Sequence, residues 1–218
     1  VLSANNQYAG NSLACKKLAL RLAIDKAHKE GWLAEHIFIS AFYSEDKKRK
    51  TYFAGAYPSM CGKTSTAMIP GGSIVGDDIA YVRVGPKGEF RAANIERGIF
   101  GIIQDVNGKD DPVIFDALTS PREIIFSNLL EKDGKVYWNG MGDKNFQYPT
   151  KGYNHSGEWE KGKKDANDKE IPLSHPNARF TLRLEELSNV DEALHKPEGV
   201  EIQGLLYGGR DTDTSVPV

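Results

Sequence analysis

The sequence predicts a mixed α/β fold in which a mixed sheet carries a phosphate-type loop. Three observations predict it. Strand-like apolar runs outnumber helical ones and alternate with them irregularly. Residues 12–29 carry the period of an amphipathic helix. Gly62-Lys63-Thr64 follows an apolar run and precedes "TSTAM", which together read as a strand, a tight loop and a short helix.

In residues 12–29, Leu13, Leu20, Ala23, Ile24 and Ala27 fall on one face, Ser12 or Asn11 can cap the start, and Gly31 is a stop. "HIFISAFY" (36–43) and "TYFAGAY" (51–57) read as strands joined by the charged turn "SEDKKRK", a solvated loop tip. "SIVGDDIAYVRV" (73–84) is a buried strand interrupted by Asp77-Asp78, and "PKGE" a turn. "REIIFSNLLEKDGKVYWNGM" (122–141) is a hairpin turning at Asp133-Gly134. Residues 151–170 are polar and lysine-rich, and read as an exposed, mobile loop.

Composition narrows the function. Hydrophobic residues make up 39% of 218, enough for a packed core. A net charge of -2 argues against a nucleic-acid partner. Cys15 and Cys61 form neither a zinc pattern nor a disulfide framework, which fits a reducing, cytoplasmic setting. No apolar run approaches the roughly 20 residues of a membrane helix, and the first residues lack signal-peptide order. Both ends read as cuts in a longer chain.

The chemistry concentrates in "GAYPSMCGKTSTAM" (55–68). A P-loop has glycine five residues before Gly62; here Tyr57 stands there. The loop turns backbone N–H groups toward phosphate, Lys63 supplies a point charge, and the Thr64 hydroxyl is suited to magnesium. Asp77-Asp78, at the end of an apolar strand, suits a metal. Cys61 is either a reactive thiol within the loop or a small buried cysteine. Arg179 in "SHPNARF" and Arg210 in "YGGR" each stand beside turn residues, where an arginine fork can bind carboxylate or phosphate. His36 opens a strand; His28, His155 and His195 are assigned nothing.

Taken together, "YAGNSLACKK", "EGWLAEH", "YPSMCGKT", "VGDDIA", "ERGIFG", "VYWNG", "HPNARF" and "PEGVEIQGLLYGGR" resemble GTP-dependent phosphoenolpyruvate carboxykinase, in the family's order and across nearly the whole chain. The loop around Gly-Lys-Thr differs from that of the family's ATP-using relatives. The resemblance implies a central piece of a longer chain: residues 1–40 finish an N-terminal domain and carry a metal-site segment, and 41–218 form an incomplete P-loop domain of the carboxykinase type.

It further implies the reversible conversion of oxaloacetate and GTP to phosphoenolpyruvate, GDP and carbon dioxide in gluconeogenesis, by a cytoplasmic enzyme that is monomeric at full length. A catalytic Mn2+ is expected on His36, Asp78 and a lysine; the family pattern points to Lys17, while counting back from His36 points to Lys16. Mg2+ enters with GTP at Thr64 and Asp77. Tyr8, Ala9, Gly10, Asn177 and Arg179 are expected to hold substrate. Ala9 stands where glycine is usual, and Asp211 where a second arginine is common. Ser59, Met60, Cys61, Gly62, Lys63, Thr64, Ser65, Phe100, Arg179 and Arg210 are expected around the nucleotide, with Cys61, Lys63, Arg179 and Arg210 catalytic. The implied mechanism is decarboxylation to an enolate followed by in-line attack on the γ-phosphate, with no side-chain nucleophile. A carboxylate-gripping arginine, the guanine pocket and the lid are expected outside residues 1–218, so little activity is expected of this piece alone. The alternatives are another P-loop phosphotransferase, such as a small-molecule or protein kinase, and a non-catalytic nucleotide-binding fragment.

Overall fold

The computed structural model describes residues 1–58 and 61–209. Its elements run β1 (Leu2–Ser3), α1 (Tyr8–Glu30), β2 (Leu33–Glu35), β3 (Phe38–Tyr43), β4 (Lys50–Ala56), α2 (Lys63–Ala67), β5 (Ser73–Gly76), β6 (Ala80–Val84) and β7 (Phe90–Asn94). They continue with β8 (Gly98–Ile102), α3 (Pro112–Thr119), β9 (Ile124–Ser127), β10 (Leu130–Lys132), β11 (Lys135–Tyr137), β12 (Lys151–Asn154), β13 (Gly157–Glu160), β14 (Arg179–Arg183) and β15 (Val200–Tyr207). The fold is mixed α/β.

The chain forms two compact units. One joins Lys16–Arg97 to Leu187–Val218; the other joins Val1–Cys15 to Gly98–Glu186. In the first, a seven-stranded sheet has the order β2-β6-β7-β15-β4-β3-β5, antiparallel except where β15 runs parallel to β4. Ile37, Ile39, Ala54, Val75, Ala80, Val82, Ala92 and Val200 build one core. Leu20, Ala23 and Ala27 of α1 pack with Ala34 and Ile79 in another. Phe38 through Ala41 are buried because β3 is a central strand, flanked by β4 and β5. Gly55 of β4 lies against the Phe38 ring, where a Cβ would meet ring carbons at 2.0 Å, so only glycine lets β4 pass there.

The second unit holds two four-stranded sheets, β1-β9-β14-β8 and β11-β10-β12-β13. The predicted 122–141 hairpin divides between them: β9 enters the first sheet, and β10 with β11 forms the hairpin in the second. Its turn is Asp133-Gly134, both at positive φ, as a two-residue hairpin turn demands.

Two expectations are corrected. α1 starts at Tyr8, earlier than residue 12, because the Asn6 side-chain oxygen accepts the Tyr8 N–H at 3.0 Å and caps the helix there. Residues 151–160 are not a mobile loop but the β12–β13 hairpin. Trp159 is buried against Leu130 and Leu173, and its indole N–H donates to the Ile171 carbonyl at 2.9 Å. One buried aromatic anchors a stretch whose remaining residues look like a loop.

Candidate functional site

The expected residues fall into two groups, one within each unit. In the first unit, β4 feeds the loop through Tyr57, whose ring stands edge-on to Phe38 at 5.5 Å. The Cys61 N–H donates to the Pro58 carbonyl at 3.2 Å. Gly62 caps α2 at φ 84, a left-handed conformation that favours glycine. The Thr66 hydroxyl and N–H both return to the Gly62 carbonyl at 2.8 Å. Lys63 and Thr64 therefore open the helix, as the motif requires, with Ser65 exposed beside them.

β5 delivers the acids. Asp78 accepts from two lysines: Lys63 Nζ lies 2.5 Å from its Oδ1, and Lys16 Nζ sits on its Oδ2. Lys16 also pairs with Glu96 at 2.8 Å. Glu96 in turn accepts the Ile79 N–H at 3.1 Å, and its own N–H donates to the Asn94 side chain at 3.1 Å. Burial alone would raise the Asp78 pKa, but the ammonium groups of Lys16 and Lys63 outweigh it and hold the carboxyl at about 2. For Asp77 burial first, then Glu96 and Asp78, outweigh the charges of Lys16 and Lys63 and push it up to about 7. For Lys16, burial is outweighed by Glu96 and Asp78, which raise it. Burial raises Glu96.

Lys16 takes this position because it lies four, seven and eleven residues before Leu20, Ala23 and Ala27, on the buried face of α1. Lys17 is exposed, one residue and about 100° further round the helix. His36 is exposed, with Nδ1 3.8 Å from Glu35, and no hydrogen bond or ion pair joins it to Asp78. The register pairs Glu35 with Ala80, so His36 follows β2 level with Ile79, beside the acids in the backbone.

Among the described residues, no three His, Cys, Asp or Glu side chains cluster closely enough to hold an ion by themselves. A lysine can join these carboxylates around a divalent cation only as the neutral amine, because an ammonium has no lone pair to give. Three carboxylates, Asp77, Asp78 and Glu96, face two lysine cations, and Asp77 keeps a buried Oδ1 with no hydrogen-bond partner. A buried carboxylate oxygen without a donor calls for a proton or a metal.

In the second unit, Tyr8, Phe100, Asn177 and Arg179 come together. The Tyr8 hydroxyl and Thr181 Oγ1 are 2.8 Å apart. The Phe100 ring stands edge-on to Tyr8, with centroids 6.4 Å apart, and the Arg179 guanidinium lies 5.2 Å over that ring. Arg179 also donates to Asn177 Oδ1 at 3.1 Å and to the Phe100 carbonyl at 3.3 Å. The Asn177 N–H donates to His175 Nδ1 at 3.0 Å. Phe100, expected on the nucleotide side, thus contacts the residues expected to hold substrate. Ala9 and Gly10 lie in the first turn of α1. Cys61 is half-buried. Ser59, Met60 and Arg210 lie outside the described residues.

A family profile described as the phosphoenolpyruvate carboxykinase C-terminal P-loop domain matches residues 32–218. The chain belongs to the phosphoenolpyruvate carboxykinase family. A second profile, the N-terminal domain of phosphoenolpyruvate carboxykinase, matches residues 1–28. Curated GTP-type phosphoenolpyruvate carboxykinases are similar across the whole chain. That of Pyrococcus horikoshii is 59% identical over 219 residues, that of Sulfurisphaera tokodaii 50% over 219, and that of an Arthrobacter strain 37% over 225. The chain spans about a third of the length of these relatives, 34%, 34% and 35% respectively. No helix among the described residues is long and apolar enough to cross a membrane.

Two residues of these clusters escaped sequence reasoning. Glu96 stands in the "ERGIFG" motif without an assigned role, and Thr181 immediately follows "HPNARF". The helical spacing of Lys16 with Leu20, Ala23 and Ala27 was a signal available in the sequence.

Proposed function

We propose that this sequence forms part of a GTP-dependent phosphoenolpyruvate carboxykinase, which converts oxaloacetate and GTP to phosphoenolpyruvate, GDP and carbon dioxide, reversibly. The observation that carries the reading is the Asp78 carboxylate shared between Lys63 of the Gly-Lys-Thr loop and Lys16 of α1. A phosphate lysine, a second lysine and an acid pair in one cluster suit a site that must neutralise both a transferring phosphoryl group and a developing enolate.

Lys16, His36 and Asp78 would hold Mn2+, with Lys16 preferred to Lys17 because it lies beside Asp78; Lys16 would coordinate as the neutral amine, its proton displaced by the ion. Thr64 and Asp77 would serve the Mg2+ of the nucleotide. When bound, manganese supplies Lewis acidity at the carbonyl oxygen that becomes the enolate oxygen. Lys63 moves its charge from Asp78 to the β- and γ-phosphate oxygens. Tyr8 and Asn177 orient the substrate. Lys63 neutralises the phosphoryl group as the enolate oxygen bonds to phosphorus and the bond to the GDP oxygen breaks, and the Arg179 fork is suited to a carboxylate or a phosphate. The nucleotide supplies the phosphoryl group and the C–C bond supplies the electron pair, so Cys61 is not needed as a nucleophile. The reading includes a cytoplasmic, monomeric enzyme of gluconeogenesis.

The test is phosphoenolpyruvate formation by the intact protein from oxaloacetate with GTP and Mn2+, beside Lys63→Met. Turnover that collapses in the variant is expected. Nucleotide hydrolysis with no loss of carbon dioxide from oxaloacetate would overturn the reading in favour of another phosphotransferase.

A further inference from the structure

The hydroxyl of Tyr8 has one identified partner, Thr181 Oγ1, and the two share a half-buried hydrogen bond of 2.8 Å in which either can donate. We propose that Thr181 is a positioning residue for Tyr8. It holds the phenol in the orientation that meets the substrate carboxylate, an inference that rests on the substrate role given to Tyr8 above.

Thr181 is well placed to do this. β14 is an inner strand, paired with β8 and β9 on its two sides, so its backbone is fixed by both ladders. Phe180 and Leu182 are buried on one face of the strand, which sends Thr181 to the other face with Arg179. A β-branched side chain on a fixed strand has little rotamer freedom, so Oγ1 is a rigid point. In-register Thr181 faces Phe100, whose ring supports Tyr8 edge-on and Arg179 from its face. The phenol is thus restrained by an aromatic edge and by one hydroxyl, and only the hydroxyl sets where its O–H points. A hydroxyl carries a single proton. When Thr181 donates, the Tyr8 proton is turned toward the carboxylate; when Thr181 is absent as a partner, nothing chooses that direction.

The experiment uses the intact protein with Thr181→Val, which keeps the shape and removes the hydroxyl, and Thr181→Ser, which keeps the hydroxyl. Each is made alone and with Tyr8→Phe. One neutral hydrogen bond is expected to change the KM for oxaloacetate by roughly 3- to 10-fold in Thr181→Val. Changes within about twofold are expected in kcat, and near-native values in Thr181→Ser. In the Tyr8→Phe background the valine change is expected to have no further effect, since the hydrogen bond is already gone. Ring-labelled tyrosine NMR, with the Tyr8 signal assigned by its loss in Tyr8→Phe, is expected to show that signal shifted in Thr181→Val and native in Thr181→Ser. Equal effects of valine in both backgrounds, or an unmoved Tyr8 signal, would overturn the proposal. The NMR readout needs no substrate, so it stands even if the intact protein fails to turn over oxaloacetate, which would instead defeat the functional reading.

Discussion

Lys63 Nζ lies 2.5 Å from Asp78 Oδ1, so the lysine of the Gly-Lys-Thr loop and the second acid of "VGDD" neutralise each other across the site. Only 11% of the lysine side chain and 23% of the aspartate are exposed, which keeps the pair from being a screened surface contact. Lys63 can leave for a phosphate because a second cation stays on Asp78: Lys16 in this structure, and the metal ion in the proposed complex.

Lys63→Met is therefore expected to lower turnover by about 100-fold or more, the loss typical of removing one charged donor from a developing anion. Asp78 retains Lys16, so the thermal midpoint is expected to change little. Steady-state kinetics beside a melting curve check both parts.

Lys16→Ala and Lys17→Ala separate the two candidate ligands. The first is expected to weaken Mn2+ binding by roughly 10- to 100-fold. The second, at an exposed position, is expected to stay close to the parent. A manganese titration of each variant decides, and an inert Lys16→Ala would move the assignment to Lys17.

Asp191 gives a pH prediction outside the site. It is buried and accepts from Lys50 at 2.8 Å, from the Tyr52 hydroxyl at 3.2 Å, from Ser73, and from the Ala193 N–H at 2.9 Å. Burial raises its pKa, but Lys50, Ser73 and the Ala193 N–H together outweigh burial and lower it. A folded value below the unfolded one, about 4, means the stabilisation is present above that pH and is lost as pH falls through the folded value. Burial would lower the Lys50 pKa, but its hydrogen bond to Asp191, with Tyr52, outweighs burial and shifts it upward, so its share is present below about 10.5 and lost as pH rises through the folded value. Asp191→Ala is expected to cost about 3–5 kcal/mol near neutrality by stranding Lys50. It should also flatten the acid limb of stability, which urea unfolding at a series of pH values measures.

Trp159→Ala tests the 151–160 hairpin. Loss of a buried indole and its hydrogen bond to Ile171 is expected to cost about 3–5 kcal/mol. The same change in a mobile loop would be nearly neutral, so an unaltered denaturation midpoint would count against the packed hairpin.

Several elements were legible because their signals are local. Gly31 stops α1 at φ 74, Asp133-Gly134 turns the β10–β11 hairpin, and Gly62 starts α2, each through the backbone preference of one or two residues. β3, β4 and the broken β5–β6 run were readable from apolar runs with a charged interruption. The polar 151–160 segment misled because its one decisive residue, Trp159, works through Leu130 and Leu173 rather than through its neighbours. The early start of α1 was missed because the sequence offers Ser12 or Asn11 as the cap just before the apolar period, whereas in the folded backbone Asn6 takes that role.

The sequence by itself determined the family, the strand–loop–helix around Gly62-Lys63-Thr64 and the acid pair that follows it, since these are contiguous motifs. The tertiary structure decided which lysine meets Asp78, that Glu96 completes the cluster, and that Thr181 meets Tyr8 across 173 positions. Those choices depend on helix phase and strand register, which bring side chains together only after distant segments have paired.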